Sequence, residues 1–339
     1  MEGNIMANIN GKVFEIYPKI KCEKVHFKNR FGIELCGDLY LPEGYEDKQN
    51  AAIIVSGPFG AVKEQSSGLY AQEFANMGFV SIAFDPSFTG ESGGEVRNVA
   101  SPEIFTEDFS AAVDFVGLLP YVNRERIGAM AICGLSGMAI TAATSDTRIK
   151  AVATASMYDM CRSISKGYKD SYTAEDRQKI KEFLSRQRWI DAENGSFDVG
   201  AHELGFDENG NVVKVSKLFP DTLPEDIDPV SKAFFDYYCT ERGYHKNAIN
   251  SAAAWTQTTP FSFFNFSLME NIKEISPRPI MLIAGENAHS RYYSEDVYAA
   301  ANEPKELVIV PGADHVDLYD RMDKIPFNKL RKFFEDALK

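Results

Sequence analysis

A thiol, an imidazole and a carboxylate placed after successive strand-like runs could together carry out nucleophilic acyl chemistry. This chain has such a set. The first position is the turn Ala131-Ile132-Cys133-Gly134-Leu135-Ser136-Gly137, which follows an apolar run at 127–132. A strand that turns sharply into a helix leaves its turn side chain at the sheet edge, facing the free N–H groups of the helix start. Small neighbours are needed there because the position is crowded. In strand register Cys133 takes the nucleophile position, with Ala131 as the leading small residue, while Leu135 is a poor fit to the trailing small site. The rival frame Gly134-Leu135-Ser136-Gly137-Met138 makes Ser136 the nucleophile and needs a strand three residues longer.

The second position is His315, in Val310-Pro311-Gly312-Ala313-Asp314-His315 after the last strand-like run, where it could serve as the base. His289 lies in the preceding loop and is a further participant to consider. The third role is an acid to orient the histidine. Glu286, in Gly285-Glu286-Asn287-Ala288-His289-Ser290, is the carboxylate at hand, and Asp159 is the alternative. Developing negative charge on an acyl oxygen needs donors. The N–H groups of Gly134 and of Phe59, in the turn Gly57-Pro58-Phe59-Gly60, are placed to supply them. A helix N-terminus and a protonated histidine are expected to lower the thiol from its ordinary value near about 8.5.

The elements that must position these groups follow from hydrophobic patterning. Residues 22–28 and 33–41 are β-prone runs around the turn Asn29-Arg30-Phe31-Gly32, which reads as a hairpin. Short continuous apolar runs at 51–56, 79–84, 127–132 and 149–155 then alternate with helical patterns at 69–77, 106–119 and 134–144. Buried runs alternating with helices predict a parallel sheet covered on both faces. The alternation stops near Met157 and resumes with 279–284, a helix near 294–301, a strand at 307–310 and a terminal helix. Between them the spacing predicts helices over 173–188 and 231–242, and a Phe-rich stretch runs from 261 to 266. The expected division is a core of 1–156 and 276–339 interrupted by an insertion of 157–275.

Composition narrows the function classes. With 36 basic and 49 acidic residues in 339, the net charge is −13, and no basic block marks a nucleic-acid surface. No apolar run has the ~20 residues of a membrane span. The five cysteines are scattered without a CxxC pair, which argues against a structural metal site and for a reducing compartment. Residues 1–19 show no secretory pattern, so the expected location is cytoplasmic. The Gly-rich run Thr89-Gly90-Glu91-Ser92-Gly93-Gly94 lacks the Lys-Ser/Thr ending of a phosphate loop and is expected to border the site.

On these residues the sequence resembles the α/β-hydrolases, and more narrowly the dienelactone-hydrolase-related branch. The matching segments are Ser56-Gly57-Pro58-Phe59-Gly60-Ala61-Val62-Lys63-Glu64-Gln65, Ala83-Phe84-Asp85 through Gly94, Arg126-Ile127-Gly128 through Gly134, and Gly312-Ala313-Asp314-His315. The resemblance implies an α/β-hydrolase fold: a mostly parallel central sheet, helices on both faces, and a large, mainly helical cap insertion. It implies the order nucleophile, acid, histidine, here Cys133, Glu286 and His315, with no cofactor and no metal. The usual acid position of that family holds Ala288 here. The expected activity is hydrolysis of an ester or thioester, and the aromatic residues of the insertion point to an apolar or aromatic acyl group. Acyl transfer by the same triad and a non-catalytic binding role are the alternatives. Homo-oligomer formation is left open.

Overall fold

The computed structural model describes residues 11–220 and 222–339. Residues 1–10, the start of the expected core segment and of the stretch read as lacking a secretory pattern, lie outside the described residues, as does Asp221.

The chain opens with a hairpin of β1 (Lys21–Lys28) and β2 (Glu34–Leu41). Asn29 shapes its turn. The side-chain oxygen accepts from the N–H groups of Phe31 and Ile33 at 3.1 and 3.0 Å, and Gly32 takes a left-handed φ of 78°. The alternating unit follows as β3 (Asn50–Ser56), α1 (Ser66–Asn76), β4 (Val80–Phe84), α2 (Pro102–Gly117), β5 (Val122–Ile132), α3 (Ser136–Ser145) and β6 (Ile149–Ala155). Helix α2 starts earlier than its apolar pattern, because Ser101 caps the Ile104 N–H and Pro102 suits the first turn.

The insertion carries α4 (Met160–Lys166), α5 (Ala174–Asn194), the short β7 (Val199–Gly200), α6 (Pro229–Tyr238), α7 (Ile249–Ala252) and β8 (Trp255–Thr256), which pairs with β7. The chain then returns through β9 (Ile280–Gly285), α8 (Arg291–Ala300), β10 (Lys305–Val310), α9 (Asp317–Asp320) and α10 (Phe327–Ala337).

Eight strands form one sheet in the order β1-β2-β4-β3-β5-β6-β9-β10. It is antiparallel at β1/β2 and β2/β4 and parallel elsewhere. This is the α/β-hydrolase fold expected from the sequence. Strands β3, β4 and β6 and the second half of β5, residues 127–132, are buried because both faces are covered, while the first half of β5 is polar and partly exposed. One face packs Phe105, Phe109, Ala139 and Val297 from α2, α3 and α8. The other packs Phe74, Leu330 and Phe334 from α1 and α10.

The insertion is not uniform. Trp255, Phe263, Leu268, Ile272 and Ile275 join the same hydrophobic core as the sheet. Helix α5 has a small cluster of its own, Ile180, Leu184 and Leu204, against Phe261 and Phe264. It begins with a capping box between Thr173 and Asp176 and ends at Gly195, which is left-handed. Among the described residues no helix is long and apolar enough to cross a membrane.

Candidate active site

Strand β5 ends at Ile132 and the chain turns at once through a short 3-10 turn, Cys133–Leu135, into α3. Cys133 has φ 57°, a left-handed conformation that costs a side-chain-bearing residue about 1–2 kcal/mol. This tight turn keeps its side chain at the C-terminal edge of the parallel strands. A Cβ at Gly134 would lie 2.5 Å from the Phe59 Cβ, so the adjoining turn can approach only because that residue is glycine. Ser136, the rival position, is wholly buried, donates its hydroxyl to the Ala131 carbonyl at 3.2 Å, and does not line the cavity beside Cys133.

The Tyr319 hydroxyl and the N–H groups of Gly134 and Phe59 interact with the sulfur, so both expected oxyanion donors meet at Cys133. Their effect is to favour the thiolate, yet burial outweighs them and pushes the thiol up to about 12. This is opposite to the lowering expected from the helix start alone. The Glu203 carboxylate adds to the same upward direction.

His315 sits in the loop after β10, 2% exposed. Its carbonyl accepts from Ser156 Oγ at 2.7 Å, which ties the loop to the end of β6. Its Nδ1 meets Ser290 Oγ at 2.5 Å, and its Nε2 meets the Tyr319 hydroxyl at 3.0 Å. Burial first, and the neighbouring His289 second, hold the imidazole well below its usual value. The structure does not bring Glu286 to this ring. Glu286 is exposed and accepts instead from the Gly312 N–H at 2.8 Å, stapling the β9 and β10 loops together. Asp159 is likewise engaged elsewhere: it caps α4, accepting from the Arg162 N–H at 3.0 Å. His289 does lie at the site, 5.0 Å from His315 between ring centroids, with Nε2 at 2.5 Å from the Tyr158 hydroxyl. Burial pulls it down to about 4.

The Phe59 turn is braced from two sides. Asn250 donates to the Phe59 carbonyl at 2.8 Å and its N–H reaches the Gly60 carbonyl at 3.1 Å. Gly60 is left-handed at φ 84°, and a Cβ there would stand 2.3 Å from Asn250 Oδ1. On the other side Lys63 is completely buried among Glu64 (2.7 Å), Asp85 (3.1 Å) and Glu91 (2.5 Å). The Gly-rich loop of residues 89–94 therefore does not line the cavity. Through Glu91 it holds the segment that does.

The cavity beside Cys133 has a volume of about 630 Å3, a size that suits a small organic ligand. It lies between the sheet edge and the insertion, with Phe59, Tyr158, Phe219, Phe234, Tyr238 and Tyr319 among its aromatic walls. His202, Glu203 and Asp228 also face it. Ser290, Tyr319, Tyr158 and Asn250 are the contributors that the sequence reading did not find. Tyr319 alone carried a local signal, as it follows His315 by four residues at the spacing of one helical turn.

No family model matches the chain. It is 56% identical over 329 residues to the uncharacterized protein PA2218 of Pseudomonas aeruginosa, covering 96% of this chain and 84% of that one. The crystal structure of PA2218 matches with a TM-score of 0.89 at 55% identity, covering 96% and 97% of the two chains. The uncharacterized protein YcjY of Escherichia coli is 32% identical over 321 residues, 93% of this chain and 99% of that one. Thiohydrolase aneE of Aspergillus aculeatus is 25% identical over 308 residues, 88% and 84% of the respective chains. The alpha/beta hydrolase GrgF from Penicillium sp. sh18 shares the fold, with a TM-score of 0.73 at 21% identity over 94% and 99%.

Proposed function

We propose that this chain, which belongs to one family with PA2218 and YcjY and has the α/β-hydrolase fold, hydrolyses a carboxylic ester or thioester through an acyl-enzyme on Cys133. The observation that carries this reading is the placement of the sulfur. It stands on a left-handed strand-to-helix turn, on the floor of a walled cavity, between two backbone donors and next to the histidine loop. The thioester option gains support from the likeness to Thiohydrolase aneE. A cysteine nucleophile is the feature shared with the dienelactone-hydrolase-related branch.

In this reading His315 takes the thiol proton as the sulfur attacks the acyl carbonyl. The N–H groups of Phe59 and Gly134 hold the oxygen that becomes negative. Ser290, rather than Glu286 or Asp159, orients the imidazole. Collapse expels the alcohol or thiol, and water activated by His315 then releases the acid. The resting pair is a neutral thiol and a neutral imidazole, so the thiolate forms as the carbonyl is attacked rather than waiting as an ion pair. The insertion, 157–275 in the sequence reading, acts as a cap that keeps bulk water from an apolar or aromatic acyl group. No cofactor takes part in this scheme.

Cys133→Ala should lower kcat/KM for p-nitrophenyl butyrate and for a butyryl thioester by at least about 1000-fold. Ser136→Ala should leave both within a few-fold. Full activity of Cys133→Ala would reject the nucleophile. Transfer to an alcohol or amine differs only in the acceptor. Partitioning of the acyl group to such additives, at the expense of free acid, would move the assignment to acyl transfer.

A further inference from the structure

We propose that Tyr319 is a catalytic residue that passes the proton of the Cys133 thiol to His315. The proposal rests on the reading of Cys133 as nucleophile and specifies how the base reaches it.

Both nitrogens of His315 are occupied by hydroxyls: Ser290 at Nδ1, 2.5 Å away, and Tyr319 at Nε2, 3.0 Å away. The imidazole does not line the cavity beside Cys133, whereas Tyr319 lines it together with Cys133. The tyrosine hydroxyl is also the side-chain partner of the sulfur. The polar groups thus run in one line: thiol, phenol, imidazole, Ser290. Tyr319 cannot easily leave that line. It is fully buried, and its ring is packed by Tyr237 at 5.1 Å, Tyr238 at 6.3 Å and Phe234 at 6.5 Å between centroids. Helix α9 sets it one turn beyond His315. A phenol raised well above its ordinary value by burial stays protonated at neutral pH. It can accept one proton only as it gives up another, which makes it a relay and not a base.

The step balances. As the Cys133 sulfur bonds to the acyl carbon, its S–H bond breaks and that proton goes to the Tyr319 oxygen. The former O–H proton of Tyr319 goes to His315 Nε2. The products are a tetrahedral adduct bearing the new C–S bond and an oxyanion, a neutral tyrosine and an imidazolium. The hydrogen on Nδ1 stays on that nitrogen throughout, donated to the Ser290 oxygen. On collapse the two protons move back along the same line to the leaving oxygen or sulfur.

The test uses the full chain with p-nitrophenyl acetate. Tyr319→Phe keeps the ring packing and should lower the acylation rate, read as kcat/KM, by about 100-fold or more with little change in KM. In mixtures of H2O and D2O the wild-type rate should fall along a curve that marks two moving protons, and the variant should lose that curvature. Activity within about threefold of wild type and an unchanged solvent curve would overturn the relay. If Tyr319→Phe fails to fold, fluorotyrosine placed at position 319 preserves the shape and makes the phenol more acidic. A rate that changes with fluorination supports the relay, and an unchanged rate overturns it. Cys133→Ala separates the two layers: an active Cys133→Ala protein ends the nucleophile reading itself. An inactive one beside an undiminished Tyr319→Phe protein ends only the relay.

Discussion

Among the described residues His315 meets two hydroxyls and no carboxylate, and its behaviour with pH follows from its burial. Burial, then His289, keep the ring neutral well below its usual 6.5 in the folded chain. An unfolded chain takes up a proton at that residue near about 6.5. Below that pH the unfolded state binds more protons, so stability should fall as pH drops from about 6.5 toward the folded-state value. The acid limb of kcat/KM should also lie clearly below 6.5, with a level rate from there through neutrality. A pH series of rates and denaturant midpoints checks both, and an acid limb at 6.5 or above would contradict them. The partner at Nδ1 gives a second expectation. Ser290→Ala should lower kcat about tenfold by releasing the ring orientation. Glu286→Gln should leave kcat near wild type, because its carboxylate serves the Gly312 N–H. Steady-state rates of the two variants distinguish an orienting hydroxyl from an orienting acid.

The turn between β5 and α3 stores strain for the sake of position. At φ 57° Cys133 holds a conformation that glycine adopts freely. Cys133→Gly should therefore be more stable than Cys133→Ala by about 1 kcal/mol, the reverse of the usual order. Paired thermal or denaturant melts read this directly, and equal or inverted stabilities would argue against strain at the turn. The same turn shows what patterning can reveal. Apolar runs of five to seven residues located β3, β4, β6 and β9 because strands covered on both faces leave little room for polar residues. Helix α4 had no such run. Its marks are only the Asp159 cap and Gly167. The lowered thiol was expected from the helix start, which is local. Burial beneath the insertion, which is not local, sets the opposite direction. Ser290 is not legible in the sequence, and Tyr319 only through its spacing from His315, because a hydroxyl acquires its role from the partner that folding delivers. Glu286 drew notice as the carboxylate of its loop, but its side chain turns toward Gly312 instead.

At the scale of the whole molecule, the site exists only where the sheet edge and the insertion meet. Cys133 and Phe59 come from the turns after β5 and β3 and Tyr319 from α9 after β10, whereas Phe234, Tyr238 and Asn250 come from the insertion. The insertion is anchored by Trp255, which stacks on Phe59 at 4.3 Å between ring centroids. Trp255, Phe263 and Leu268 share the main core, so the roof and the floor are packed as one body. The intact chain is accordingly the object to test. It should be mixed with an activated ester that acylates quickly and hydrolyses slowly, quenched in acid, and weighed whole and after digestion. One acyl group per chain, carried by the peptide containing Cys133 and absent from the Cys133→Ala protein, is the expected result. An unmodified chain during active turnover, or an acyl group on Ser136, would contradict the covalent role of the thiol.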